Sequence, residues 1–376
     1  MPIMHLERNW KLYSMKRKIF LFLIVLFSHQ IFAQTNFNAL YLQTYRQAID
    51  FYNNQEYGKA LKYAEDSIVY KKDLIQSEVN LLVNSLAPKE VSSVGEKIDN
   101  VLKILTERED KDAIDIINKY LKLKGYDFFQ DSISNLLDYI KGNIDFPEAD
   151  KLIGDVYKID TEYDFAKYYY EKALKKSEIL NIPNEKYEIL YMLADIEYLQ
   201  NNFSEMEKWL LMIIAEDNNY KNKALQTSLV NTINKNNKKA VEDFFKLYRA
   251  DGIYCIQAYD KLSSYYKENN QTEKALFFSS LSVLTIFSRL YNYIEKRESD
   301  FNYTDFASFL KELTFHQDLL DWCDEMSFWK KLNEFSRIVA FSGNNEFSKS
   351  LLRILMKNIP VEYYQKEAVL LLEQSN

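Results

Sequence analysis

The chain has 376 residues, enough for roughly two or three ordinary domains or one elongated repeat array. A hydrophobic share of 47% excludes general disorder, and only 7 Gly and 5 Pro argue against a fold of many short strands and hairpins. The net charge of −7 disfavours nucleic acid and anionic membrane surfaces, which are bound by clustered Lys and Arg.

The first 33 residues stand apart. Lys16, Arg17 and Lys18 precede the apolar run IFLFLIVLF (19–27), and a short polar stretch follows before Ala33. A basic start, a short apolar core and a small exit residue predict a secretory signal peptide, with the mature chain starting at Gln34. The apolar run is too short for a membrane span, which needs about 20 residues, although an uncleaved signal would act as an anchor. Residues 1–14 do not fit this pattern, which points to Met15 as the true start. Cleavage would remove five of the 48 basic residues and one of the 55 acids (Glu7), shifting the net charge from −7 to −11. The expected compartment is a bacterial periplasm or the exterior, with no integral membrane span after cleavage.

Asn-Asn pairs then punctuate the chain at 53–54, 201–202, 236–237, 269–270 and 344–345. Asn tolerates the left-handed conformation that ends a helix, so each pair predicts a helix stop. From Ala48, the positions +3, +9, +12, +16 and +19 hold Phe51, Tyr57, Ala60, Ala64 and Ser67. Residues 69–146 carry helical runs at about 72–86, 89–107, 111–124 and 127–141 without this pattern. It returns from Gly154 with Tyr157, Tyr163, Ala166, Tyr170 and Ala173, and from Ser263 with Tyr266, Thr272, Ala275, Ser279 and Ser282. Two weaker copies start at Ala194, with Glu197 in the aromatic place, and at Ser228, with Ala240 and Phe244. A long helix is expected from about 272 to 298, and a further pair around Phe341, Asn344 and Phe347.

A period near 34 with two helices per unit is a solenoid signature. The copies at Ala48, Gly154 and Ser263 resemble tetratricopeptide repeats, which carry a small residue where two helices cross and aromatics beside it. The resemblance implies an all-α, right-handed superhelix of helix pairs over residues 34–283, with irregular helices at 69–146. Residues 284–376 would continue it as a C-terminal helical region. Tyr163, Ala166, Tyr170 and Ala173 share one helix face, so the tyrosine-rich stretch EYDFAKYYYEKAL (162–174) is read as mostly packing.

Chemistry is sparsely represented. After cleavage His316 is the only histidine, which excludes multi-histidine metal sites, and no phosphate-binding glycine loop occurs. His316 and Cys323 are separated by about 10 Å along a common helix, too far for a nucleophile and its base. Cys255 and Cys323 are read as separate buried thiols. Acid pairs such as Asp150/Asp155 and Asp321/Asp324/Glu325 lack the spacing of a calcium loop. No catalytic residue, metal or cofactor is expected.

The resemblance implies binding through first-helix residues that face a concave groove. Carried over by position, these are Tyr45, Ile49 and Tyr52, then Lys151, Asp155 and Lys158. The later repeats add Tyr191, Asp195 and Tyr198, then Asp260, Ser264 and Lys267. Asp155 and Asp195 stand where a carboxylate-gripping clamp would need Asn, so a free C-terminal tail does not fit. The reading is a non-enzymatic scaffold or adaptor for a protein or peptide segment with basic and apolar groups. The alternatives are an accessory protein that binds a small ligand or transport substrate, and a carboxylate-dependent hydrolase.

Overall fold

The computed structural model describes residues 40–86, 144–247 and 253–374, with the side chains of all but 76–86. The expected signal peptide and the helical runs at 89–107, 111–124 and 127–141 lie outside the described residues. Among the described residues every regular element is a helix, and none is long and apolar enough to cross a membrane. The chain divides into two compact units, Met1–Ile189 and Leu190–Asn376.

In the first unit, α1 (40–53) is followed by α2 (Tyr57–Leu86), α3 (Pro147–Ile159), α4 (Tyr163–Leu174) and a 3-10 turn at Ser177–Ile179. Helix α2 runs unbroken for 30 residues, so the run expected at 72–86 is its second half and not a separate helix. Helix α3 shows the charge order its dipole favours: Pro147 at the start, Glu148 and Asp150 in the first turn, Lys158 in the last. It packs on α2 and α4. Its core joins Ala48, Ala64, Leu152 and Ile153, flanked by Tyr45, Tyr52, Tyr157 and Tyr169.

Helix α5 (Glu185–Leu199) contains the division between the units. The second unit continues with α6 (Phe203–Ile214), α7 (Asn218–Lys221), α8 (Lys223–Asn234), α9 (Lys238–Phe244), α10 (Ile256–Glu268) and α11 (Thr272–Arg297). Then follow α12 (Phe306–Leu313), α13 (Gln317–Glu325), α14 (Phe328–Phe341), α15 (Asn345–Asn358) and α16 (Glu362–Gln374). Sequence neighbours pair α8 with α9, α10 with α11, α14 with α15 and α15 with α16. Helix α11 is the centre of this unit and packs on α8, α10 and α14. Being buried nearly all round, it satisfies its hydroxyls on its own backbone: Ser280 Oγ donates to Leu276 O at 2.7 Å and Thr285 Oγ1 to Leu281 O at 2.7 Å. It runs through residues 283 and 284, where the sequence suggested a division between array and C-terminal region.

One backbone turn recurs between paired helices. Gln55, Thr161, Asn201, Asn270 and Gly343 all have positive φ. The next residue donates its N–H five residues back: Glu56 to Phe51, Glu162 to Tyr157, Asn202 to Glu197, Gln271 to Tyr266 and Asn344 to Val339. This is the Schellman closure of a helix end, and here it opens the next helix at the same step. Seven residues before each left-handed residue lies a buried small one: Ala48, Gly154, Ala194, Ser263 and Ser336. Twelve residues after that small position lies its partner on the second helix. Ser263 Oγ donates to Ala275 O at 2.9 Å, and Ser336 and Ser348 share a hydroxyl contact at 2.9 Å.

Two expectations about this pattern change. Ser228 is exposed and Leu229 is buried, because the left-handed turn falls at Asn236 and slides the register by one residue; Ala240 and Phe244 remain buried. The Asn pairs mark the junctions but do not always supply the left-handed residue. Gln55 and Gly343 take it beside their pairs, and Thr161 takes it where no pair exists.

Candidate functional site

The first-helix positions of the first unit form a polar rim over its core. Tyr45, Ile49 and Tyr52 are half-buried against Ala48 and Ile153, so much of their surface is spent on packing. Tyr45 Oη donates to Glu148 O at 3.2 Å, and burial, reinforced by the Glu148 charge, pushes its phenol above the usual range. Lys151 lies 3.4 Å from both Asp155 and Glu188. Burial opposes its charge, but these two carboxylates hold its ammonium above the usual lysine range. Asp155 also accepts from Tyr170 Oη at 2.6 Å, so its charge is already engaged. Lys158 is half-buried on the last turn of α3.

In the second unit the same positions separate. Tyr191 is only 8% exposed and is not a groove residue. Its hydroxyl donates to Tyr254 O at 2.6 Å and accepts from Ala258 N at 2.9 Å. Ala258 lies in the first turn of α10, where the N-cap residue Cys255 offers no side-chain bond. Tyr191 therefore satisfies an N–H that the helix itself leaves without an acceptor. Tyr198, two turns further along the same helix, is 54% exposed.

Asp195, Tyr198, Asp260 and Ser264 line one cleft of about 450 Å³, together with Lys331 and Glu334 from α14. Lys267 lines an adjoining pocket of about 230 Å³ that shares Asp260, Lys331 and Glu334. Tyr198 and Tyr265 give the cleft an aromatic wall, and Phe203 links them from outside the lining, edge-on to Tyr198 at 5.9 Å and stacked on Tyr265 at 6.0 Å. Asp195 is paired with Lys261 at 2.7 Å. Asp260 accepts from Ser282 Oγ at 2.5 Å and pairs with Lys331 at 3.0 Å. Burial nonetheless pushes the Asp260 carboxyl upward, with Lys331 and Ser282 opposing it. The two pockets together present the acids Asp195, Asp260, Glu268 and Glu334 against Lys261, Lys267, Lys330 and Lys331, a balanced lining.

The sequence pointed to Asp195, Tyr198, Asp260, Ser264 and Lys267, which the fold brings together, but it did not point to the α14 side. The signal was available: Ser336, Gly343 and Ser348 keep the same +7 and +12 spacing, and α14 is the first helix of that pair. Cys255 and Cys323 are buried, unbonded thiols that burial holds well above the usual range, so neither is an active thiolate at neutral pH.

No protein-family model matches the chain. It is similar to an uncharacterized protein of Treponema pallidum (strain Nichols), 27% identical over 322 residues. The match covers 84% of this chain and 85% of that protein, so the similarity is not confined to one helix pair.

Proposed function

We propose that this protein is a non-enzymatic interaction scaffold or adaptor, a tetratricopeptide-like superhelix that works in a bacterial periplasm or envelope after export. The observation that carries the reading is the cleft of the second unit. There, first-helix residues Asp195, Tyr198, Asp260 and Ser264 converge with Lys331 and Glu334 around an aromatic wall. A lining of alternating charge with exposed tyrosine suits a polypeptide segment, which offers backbone polar groups, apolar side chains and both charge signs together. Basic groups on such a segment would meet Glu268 first, because Asp195 and Asp260 are closely paired and Glu334 lies 4.0 Å from Lys330.

A small-ligand accessory protein is the second reading, favoured by a cleft volume of about 450 Å³, within the range of ligand pockets. The paired charges weaken it, since small-molecule sites are mostly apolar with a few unpaired polar groups. Affinity capture from the native envelope, with the wild type and a Tyr198→Ser/Glu334→Lys variant side by side, tests the scaffold reading. A partner retained by the wild type and lost by a variant of unchanged melting temperature supports the cleft. A partner retained equally by both removes it. N-terminal sequencing of the native protein tests export, with Gln34 as the expected first residue.

A further inference from the structure

Around the end of α11, a second polar cluster lies outside the cleft. Glu298 closes α11, Glu312 is in the last turns of α12, and His316 is the residue before α13. One ligand atom from each of the three lies within 4.8 Å of the others. His316 Nε2 is 3.0 Å from Glu298 Oε1 and 4.0 Å from Glu312 Oε1.

The short contact is not a hydrogen bond. Nε2 is buried and makes no hydrogen bond, so the ring edge is not aligned on the Glu298 oxygen despite their separation. The imidazole nitrogen thus lies between two carboxylates with no hydrogen bond to either. The spacing suits metal ligands. Metal–ligand distances of about 2.0 Å in a tetrahedral site separate neighbouring ligand atoms by roughly 3.3 Å. The observed 3.0 and 4.0 Å bracket that value.

The cluster is also held together from outside. Arg297, just before Glu298, donates two bonds to Asp318, just after His316, at 2.9 and 2.6 Å. The His316 carbonyl accepts from Leu319 and Leu320, and its N–H donates to Leu313 O, which fixes the residue at the turn between α12 and α13. Glu298 and Glu312 line a cavity of about 350 Å³ with Asp300, Asn302, Thr304 and Ser308, leaving one side open to water or a further oxygen ligand.

We propose that Glu298, Glu312 and His316 bind one divalent transition-metal ion, with Zn2+ as the best match to one imidazole and two carboxylates. The imidazole separates this class from Ca2+ and Mg2+, which take oxygen ligands only. A single histidine is sufficient because the carboxylates supply the remaining protein ligands.

The test is calorimetric titration of Zn2+ into the untagged, chelator-stripped chain, with Ca2+ and Mg2+ as competitors. One equivalent should bind, and His316→Gln, Glu298→Gln and Glu312→Gln should each weaken it by more than about tenfold, the loss that even an outer-shell partner can cause. Glu298→Gln changes a half-exposed residue at a helix end, so it keeps the test interpretable if His316→Gln disturbs folding. Co2+ should give visible d–d bands in the wild type that His316→Gln shifts or removes. Absence of stoichiometric binding, wild-type affinity in His316→Gln and Glu298→Gln, or displacement of Zn2+ by equimolar Ca2+ overturns the proposal.

Discussion

A Cβ atom built on Gly154 would lie 2.8 Å from two ring carbons of Tyr170. The ring, and not Ala166, is therefore the closest neighbour of this glycine. Tyr170 is fully buried and its hydroxyl is tied to Asp155 at 2.6 Å, so it cannot swing away. Replacing Gly154 with Ala should gain about 1 kcal/mol of helix propensity but lose about 1–3 kcal/mol to overpacking. With Leu only the loss grows. Denaturant unfolding should show a lower midpoint for Gly154→Ala and a much lower one for Gly154→Leu; midpoints equal to wild type would show that the helix pair tolerates separation.

Thr161 holds the same left-handed turn conformation as Asn201 and Asn270, with φ of 63°. A β-branched residue fits that region poorly, at a cost of roughly 1–2 kcal/mol, while Asn tolerates it. Thr161→Asn should therefore raise stability by about 1 kcal/mol. No gain in the melting transition would mean that the positive φ of Thr161 costs the turn nothing.

Tyr191 and Tyr198 should respond oppositely to mutation. Tyr191→Phe removes the acceptor for Ala258 N–H and should cost about 1–2 kcal/mol, as loss of a helix cap does. Tyr198→Ser should stay within about 0.5 kcal/mol, because the side chain is exposed and unbonded to any helix end. Thermal unfolding of the two variants gives the comparison directly, and equal losses would mean that Tyr198 also belongs to the core.

Asp150 is buried and pairs with Lys172 at 2.7 Å. Burial raises its pKa in spite of Lys172, so the folded state holds the proton more tightly than the unfolded state. Stability contributed by this group must fall as pH rises through the raised value. Relative to Asp150→Asn, the wild type should gain stability as pH is lowered from neutral toward the ordinary aspartate value of 3.8. A difference between the two chains that is flat across that window would contradict the raised pKa.

Much of the helical pairing was legible in the sequence, because each junction needs a small residue where backbones approach and a left-handed residue to turn the chain. Ala48, Gly154, Ala194 and Ser263 could be read from spacing alone, and so could the long helix from Thr272. At Ser228 the reading failed, since a one-residue slip of the turn to Asn236 leaves the residue types nearly unchanged while turning the inward position of the first helix by about 100°, from Ser228 to Leu229. Tyr191 and Tyr198 show the deeper limit. They hold first-helix positions that look equivalent in the sequence, yet a loop 63 residues away places the Tyr254 carbonyl beside one hydroxyl and nothing comparable beside the other. The same holds for the cleft and for the Glu298, Glu312 and His316 cluster. Sequence periodicity fixes which face of a helix turns inward, but only tertiary packing decides which distant helix end or carboxylate that face meets.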